Sequence, residues 1–252
     1  MRKEPREDSK LTRIYDFRHL ITSYLEYVRD LGEHELLFDE IFSFRTAGEA
    51  SRTNAEEYTS LEELSETIRN CRSCSLHSTR GKAVPGDGNA RNGFVLVGEA
   101  PGATEDREGK PFVGASGHLL RRLLQIAGIE ESRYYLMNII KCRPPGNRDP
   151  LPDEIEACRP ITEKQLKILQ PRLLVALGRF AGRYLLNREE DSIRNMRGKV
   201  HTVEGTPVIV TYHPSALLHR ESLRSRAWED MVFIRHTADS LGLLASSEHS
   251  EA

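Results

Sequence analysis

Apolar residues follow two different periodicities along this chain. Short apolar runs bounded by turn residues recur at 94–97, 135–140, 172–177 and 207–211, and each has the length and composition of a buried strand. Stretches with helical spacing lie between them. Strands that alternate with helices imply a parallel sheet covered by helices on both faces. The pattern therefore predicts an α/β protein with four parallel strands.

The first sixty residues do not share this alternation. Apolar residues recur at helical spacing over 11–32, and the segment ends at Gly32, which predicts an amphipathic helix. Residues 43–60 are small, polar and aperiodic, as in a flexible linker. Ser60 and Glu63 then have the spacing of a capping box that opens the next helix.

Composition narrows the class of protein. The chain has 252 residues, of which 38% are hydrophobic and 29% charged, and its net charge is −2. That length fits one domain with an appendage, and the small net charge provides no global basic field for nucleic acid. The longest apolar runs are too short to span a bilayer, and the charged N-terminus does not resemble a secretory signal. We therefore expect a cytoplasmic protein that does not enter a membrane.

Polar or conformationally special residues follow all four predicted strands. The strand ends lead into GEAPG at 98–102, Asn138, Gly178 and YHPS at 212–215. Ligands bind outside the carboxyl ends of parallel strands, so these ends predict a site. The glycine-rich loop at 97–117 lacks both G-x-G-x-x-G and the Lys-Ser/Thr pair of a P-loop, which argues against nucleotide binding.

Four cysteines form a second candidate site. Cys71 and Cys74 have C-x2-C spacing, and Cys142 and Cys158 follow as C-x15-C. In a cytoplasmic protein this arrangement favours a metal or a cluster over disulfides. Thiolates hold either zinc or iron-sulfur clusters, and the spacing does not decide between them. In either case the site would join the segment before the first strand to the segment after the second.

Several motifs in order resemble one family, the iron-sulfur uracil-DNA glycosylases of family four. The matching segments are GEAPG at 98–102, GKPFVGASG at 109–117, NIIKCRPPGNR at 138–148 and HPS at 213–215. The resemblance covers about residues 70 to 235 and implies a three-layer α/β/α domain, assigned here to 61–242. It leaves 1–60 as a helical extension with its linker and 243–252 as a disordered tail.

The resemblance also implies roles for individual residues. The four cysteines, Cys71, Cys74, Cys142 and Cys158, would hold a [4Fe-4S] cluster, with zinc as the alternative. The Asn138 amide, a donor and an acceptor, would pair with N3-H and O4 of uracil. Phe112 would stack on the base, and His213 would stabilise negative charge developing at O2.

The GEAPG loop departs from the best-known uracil-DNA glycosylases. Ala100 occupies the position at which those enzymes carry a catalytic aspartate. The iron-sulfur family also lacks that aspartate. We expect Glu99 to take part in catalysis by ordering water or the loop. Backbone N-H groups around Ala100 and Gly102 would bind uracil, because small residues permit close approach.

The remaining matched residues imply contacts with DNA. Ser215 would pinch the phosphate backbone, and Leu217, preferred to Leu218, would fill the space left by the flipped base. Arg143 and Arg148 would lie near phosphates. The loop after the second strand has no histidine, unlike a related group that links covalently to the abasic sugar, so turnover is expected.

The sequence thus predicts a monofunctional base-excision-repair glycosylase. It would flip uracil out of single- or double-stranded DNA and hydrolyse the N-glycosidic bond. The alternatives are a non-catalytic iron-sulfur or zinc DNA-binding module of the replication or repair machinery, and a zinc protein of nucleotide metabolism. We expect a monomer whose N-terminal helix packs on the domain or recruits another protein.

Overall fold

The computed structural model describes residues 60–244. The predicted N-terminal helix and nearly all of its linker lie outside these residues, as does the tail from 245. The predicted domain end at 242 stays a prediction. Leu243, the next residue, is fully buried, and its carbonyl accepts a hydrogen bond from Asn92 Nδ2. None of the helices between 60 and 244 combines the length and apolar character needed to cross a bilayer.

The described chain alternates strands and helices along most of its length. The helices are α1 (Leu61–Asn70), α2 (Ala103–Glu108), α3 (Ala115–Ile126), α4 (Pro152–Leu169), α5 (Arg179–Leu186), α6 (Ile193–Met196), α7 (Pro214–His219) and α8 (Arg224–Ser240). The strands are β1 (Asp87–Gly88), β2 (Phe94–Gly98), β3 (Tyr135–Asn138), β4 (Leu173–Leu177), β5 (Val200–Val203) and β6 (Thr206–Thr211).

The strands form one mixed sheet in the order β1-β3-β2-β4-β6-β5. The four predicted strands, β3, β2, β4 and β6, are its centre and run parallel. Their carboxyl ends therefore lie along one edge of the sheet. In the register of β2 and β3, Gly98 pairs with Asn138, which brings the end of the first predicted strand beside the end of the second.

The core consists of two apolar layers, one on each face of the sheet. Val95 and Val97 of β2 point into the layer that contains Ile68 of α1, whereas Phe94 and Leu96 point into the layer that contains Leu120 of α3. Successive strand residues face opposite sides, so a strand buried on both faces is apolar at every position. The three-layer α/β/α fold is confirmed.

Two edge strands were not predicted. β1 has only two residues, and β5 is half-polar, so neither contains an apolar run. β5 joins β6 in an antiparallel hairpin whose turn residues Glu204 and Gly205 have φ of 48° and 82°. Positive φ at both central positions is typical of a type I′ hairpin turn.

The predicted capping box opens α1. Ser60 Oγ accepts a hydrogen bond from the Glu63 N-H at 3.2 Å, and Glu63 Oε2 accepts one from the Ser60 N-H at 2.9 Å. The helix ends at Asn70 and is followed at once by Cys71. The cap therefore sets the point at which the chain enters the cysteine-containing segment.

Candidate active site

Polar residues from separate strands meet at the carboxyl edge of the sheet. Glu99 follows β2, Asn138 ends β3, Arg179 begins α5 after β4, and His213 follows β6. The convergence predicted from the strand ends is therefore present. The geometry of each group decides what chemistry is possible there.

The Asn138 amide is buried and unpaired. Its side chain is 2% exposed and makes no hydrogen bond to any residue between 60 and 244, while its backbone carbonyl accepts one from Lys141 Nζ at 2.7 Å. A Cβ placed on Gly98 would lie 2.4 Å from Asn138 Oδ1 and 2.5 Å from Phe112 Cζ. Gly98, which we did not single out in the sequence, therefore provides the space between the amide and the ring.

Phe112 is held in a backbone conformation that a residue with a side chain rarely adopts. Its φ is 55°, and its carbonyl oxygen accepts a hydrogen bond from Arg121 Nη1. A Cβ on Gly117 would lie 1.8 Å from that oxygen, so only glycine fits there. Such strain persists where surrounding structure enforces it, commonly at functional sites.

The two rings of the site lie near each other. The centroids of Phe112 and His213 are 6.2 Å apart, and the ring planes are inclined by 33°. A planar base that stacks on Phe112 would therefore have its edge within reach of the imidazole.

The protonation state of His213 follows from its contacts. The backbone N-H of Ser215 donates to His213 Nδ1 at 3.2 Å, and Ser215 Oγ lies 2.7 Å from the same atom. Because a backbone N-H can only donate, Nδ1 is the acceptor and the ring proton of neutral His213 is on Nε2. Burial lowers the pKa of His213 to about 4, against the opposing effect of Glu105. At neutral pH, His213 is an uncharged Nε2-H donor.

The Glu99 carboxyl group has an unusual acidity. Burial, together with the Asp149 carboxylate, raises the pKa of Glu99 to about 7, and Arg179 opposes both effects. The carboxyl makes no hydrogen bond within 60–244, whereas the Glu99 carbonyl accepts one from the Ile140 N-H at 3.1 Å. A carboxyl with a pKa near the working pH is suited to accept a proton. Asp149 and Arg179, which form an ion pair with each other, were not anticipated from the sequence.

Glu105 links the two halves of the glycine-rich loop. Its Oε1 accepts the Gly114 N-H at 2.7 Å, and its charge acts on His213. A Cβ on Gly102 would lie 2.8 Å from Glu105 Oε2. Gly102 thus makes room for Glu105, and Ala100 packs against the core. Uracil binding by Gly102 and Ala100 stays a prediction.

The two arginines expected near DNA differ in their surroundings. Arg143 donates through Nε to Asn147 Oδ1 at 2.7 Å, and its other guanidinium nitrogens make no hydrogen bond within the described chain. Arg148 forms a two-point pair with Glu154, whose side chain has no exposed surface. This pairing holds the loop to α4 through the Arg148 guanidinium. The phosphate contacts of both arginines stay predictions.

The leucine expected to act as a wedge is buried. Leu217 is 3% exposed and packs with Tyr212 and Ala227, whereas the neighbouring Leu218 is 42% exposed. Adjacent helical residues point about 100° apart, so only one of them can face the core. Leu218 is therefore the exposed leucine of the pair, and the wedge role of Leu217 stays a prediction.

The four cysteines are free thiols on segments that meet beside α4. Burial raises the pKa of Cys142 to about 11; Cys158 and Cys74 add to the effect, and Arg80, which donates to Cys142 Sγ at 3.0 Å, opposes it. Burial likewise raises the pKa of Cys158, and Cys71 and Cys74 contribute. Cys142 and Cys158 are therefore within electrostatic reach of Cys74, and Cys158 is also within reach of Cys71.

The four cysteines supply thiol ligands of the kind that bind zinc or an iron-sulfur cluster. A zinc ion would hold its sulfurs about 3.8 Å apart, given Zn-S bonds of about 2.3 Å. In the described part of the chain, no three histidine, cysteine, aspartate or glutamate side chains are close enough to hold one ion. Four cysteine thiolates are also the usual ligands of an iron-sulfur cluster, so the residue types present are suited to one.

The carboxyl edge of a parallel sheet is where α/β proteins bind ligands, and comparison with known proteins identifies the class to which this fold belongs. A model of the uracil DNA glycosylase superfamily matches residues 85–232, so the chain belongs to that superfamily.

Within the superfamily, the chain is most informatively compared with type-4 members. It is 43% identical over 178 residues to a type-4 uracil-DNA glycosylase of Archaeoglobus fulgidus, covering 68% of this chain and 89% of the relative. It is 41% identical to a type-4 uracil-DNA glycosylase of Thermotoga maritima, covering 68% and 91%. A type-5 uracil-DNA glycosylase of Pyrobaculum aerophilum is 32% identical, covering 60% and 74%. The chain therefore belongs with the type-4 group.

Proposed function

We infer that the protein is a uracil-DNA glycosylase of base excision repair, which releases uracil from DNA and leaves an abasic site. The observation that carries this proposal is the unpaired Asn138 amide, buried beside Phe112 and opposite a neutral His213. The type-4 relatives support it by name. No other residue between 60 and 244 competes for the amide.

Each step of the reaction has a matching group. The flipped base stacks on Phe112, and the Asn138 amide donates to O4 and accepts from N3-H; cytosine has the opposite polarity at this edge. As the bond between C1′ and N1 breaks, the electron pair goes to the base, and His213 Nε2-H donates to the charge at O2. A water oxygen bonds to C1′, and the Glu99 carboxylate accepts the water proton.

The test of this function is an excision assay. The protein is incubated with otherwise identical oligonucleotides containing either uracil or cytosine, both single-stranded and paired, and the products are treated with alkali. We expect strand cleavage at uracil only. If the protein binds both forms of the oligonucleotide but cleaves neither, the proposed enzymatic function is wrong and the protein is a non-catalytic DNA-binding module.

We also propose that Cys71, Cys74, Cys142 and Cys158 hold a [4Fe-4S] cluster. When bound, it would cross-link the segment after α1 to β3 and α4. The free thiols favour a reducing compartment, and the cytoplasm is the proposed location. A brown protein with iron and sulfide in equal amounts is expected after anaerobic purification, whereas a colourless protein loaded with zinc would contradict the cluster.

The pH profile should report Glu99. With a pKa of about 7, its carboxylate is protonated below neutral pH, so kcat/KM should fall about tenfold per pH unit there and reach a plateau above. The pKa of His213, about 4, is too low to produce this limb. In Glu99→Gln this fall of kcat/KM below neutral pH should vanish, and the remaining kcat/KM should not depend on pH. An unchanged limb in Glu99→Gln would assign it to another group.

Stability supplies a second readout for the same variant. Folding raises the pKa of Glu99 from 4.5 to about 7, so the protonated form is favoured in the folded state. Between these two pH values the protein loses stability as the pH rises. Glu99→Gln should lose less over that range, as measured by its melting temperature.

Leu218 is the proposed wedge. Its exposed side chain on α7 would fill the gap left by a flipped base, which matters in a duplex and little in a single strand. Leu218→Ala should lower excision from duplex about tenfold relative to single-stranded substrate, equivalent to about 1.4 kcal/mol. Leu217→Ala is the matched control and should instead destabilise the fold by about 2–5 kcal/mol. Equal effects of Leu218→Ala on both substrates would remove the wedge role.

A further inference from the structure

A basic cleft formed by residues within 69–72, 77–83 and 108–110 has no role in the chemistry described above. It has a volume of about 880 Å³, and its lining includes five arginine or lysine side chains against one carboxylate, that of Glu108. Glu108 itself pairs with Arg107 at 3.4 Å. The cleft therefore has a surplus of positive charge on a protein whose total charge is −2.

The cations of the cleft fall into two groups. Arg80 is committed to the fold, because it donates to Cys142 Sγ and to the carbonyls of Arg69 and Cys71. Arg69 is paired with Glu66 at 3.1 Å.

The other three cations, Arg72, Lys82 and Lys110, are exposed, and none makes a hydrogen bond or ion pair with a residue in 60–244. The acidic groups behind them are engaged as well, since Asp106 accepts the Gly81 N-H with both oxygens. The three free cations thus line the cleft without a protein partner, so they are available to bind an anion.

The cleft is adjacent to the base pocket along the chain. Lys110 is two residues from Phe112, which limits the distance between their Cα atoms to about 7 Å. Lys82 Cδ would lie 3.3 Å from a Cβ on Gly109, so the Lys82 stem packs against the turn that leads to Lys110. Phosphates of one strand recur about every 3.4 Å along a duplex axis. A phosphate next to a nucleotide whose base is stacked on Phe112 would therefore be only a few ångströms further along the strand, a distance that the Lys110 side chain can span.

We propose that this cleft binds the phosphodiester backbone of the DNA strand that flanks the flipped nucleotide, through Lys82, Lys110 and Arg72. The proposal rests on the proposed function for the identity of the anion. The contact would be independent of sequence and of uracil, because phosphate contacts position a strand without reading it.

The test compares a cleft variant with a matched control. Lys82→Ala/Lys110→Ala removes two free cations of the cleft. Lys164→Ala/Lys167→Ala removes two exposed lysines near the end of α4, which runs from the carboxyl edge of the sheet to the opposite edge before β4. Both double variants have the same net charge, so any difference between them is positional. Binding to a uracil-free duplex is measured by fluorescence anisotropy at salt concentrations from about 50 to about 200 mM.

We expect the slope of log K against log salt to become less negative by about 1.8 in the cleft variant, or about 0.9 per lost phosphate contact. Affinity at low salt should fall about tenfold or more, equally for uracil-containing and uracil-free DNA. Arg72→Ala should add a further change of about 0.9 in slope, with the visible absorbance of the protein confirming that the neighbouring cysteine site is intact.

An unchanged slope in the cleft variant, or an equal change in the control, would overturn the proposal. Specific stabilisation of the protein by deoxyuridine monophosphate that Lys82→Ala abolishes, with an unchanged DNA slope, would also overturn it in favour of a mononucleotide site. The excision assay separates this proposal from the function. If the unaltered protein excises uracil but the two double variants have the same slope, only the proposal for the cleft is wrong. If the slopes differ but no uracil is excised, only the glycosylase function is wrong.

Discussion

His213→Ala is expected to lower kcat/KM for uracil excision by about 10²- to 10³-fold, the usual cost of removing one preorganised donor to a developing anion. The donor is the Nε2-H, since Nδ1 accepts from the Ser215 N-H. The loss should be independent of pH above about 5, because the pKa of His213 is about 4 and the ring is uncharged throughout that range. Single-turnover kinetics across the pH range would measure it.

Two controls separate catalysis from structure in this variant. His213 also caps α7, so the melting temperature of His213→Ala must be followed beside its rate. His236→Ala removes an exposed histidine of α8 and should retain full activity. A folded His213→Ala protein that excises uracil at the unaltered rate would exclude His213 from the reaction.

Asn138→Ala should have a comparable effect, about 100-fold or more on kcat/KM. The substitution leaves N3-H and O4 of a buried uracil unpaired, and two such losses cost about 1–3 kcal/mol each. Stability should hardly change, because the Asn138 side chain makes no hydrogen bond within the described chain. A large loss of activity with an unaltered melting temperature is the combination that distinguishes a binding group from a structural one.

The control for this variant is Asn195→Ala, at an exposed position near the end of α6. Discrimination should also be measured, with uracil and cytosine substrates assayed in parallel. Retained activity and retained discrimination in Asn138→Ala would remove the amide from base recognition.

Local patterns predicted most of the sheet. The apolar runs at 94–97 and 207–211 became β2 and β6 with boundaries within one residue. The run at 135–140 was too long, because β3 ends at Asn138 and the chain turns into the site there. The edge strands escaped detection because their residues are half-polar and are ordered by pairing with neighbours.

The sequence predicted which residues belong to the candidate site, but not the hydrogen-bond partners or the packing of their side chains. Arg143 and Arg148 are both arginines of the same loop, yet only Arg148 donates hydrogen bonds to a buried carboxylate, that of Glu154. Glu154 lies six residues away, and nothing in local composition signals the pair. The same holds for Gly98 and Gly117, whose close approaches to Phe112 and Asn138 depend on packing between elements.

The sequence by itself determined the α/β alternation, the four polar strand ends and the set of four cysteines, because periodicity, capping and residue chemistry act over a few residues. Only the tertiary structure decided which of Leu217 and Leu218 is exposed, where the proton of His213 resides and why Glu99 has a raised pKa. These properties depend on burial and on charges brought in by distant segments, such as Asp149 and Arg179 beside Glu99. Burial and long-range pairing exist only once the chain has folded.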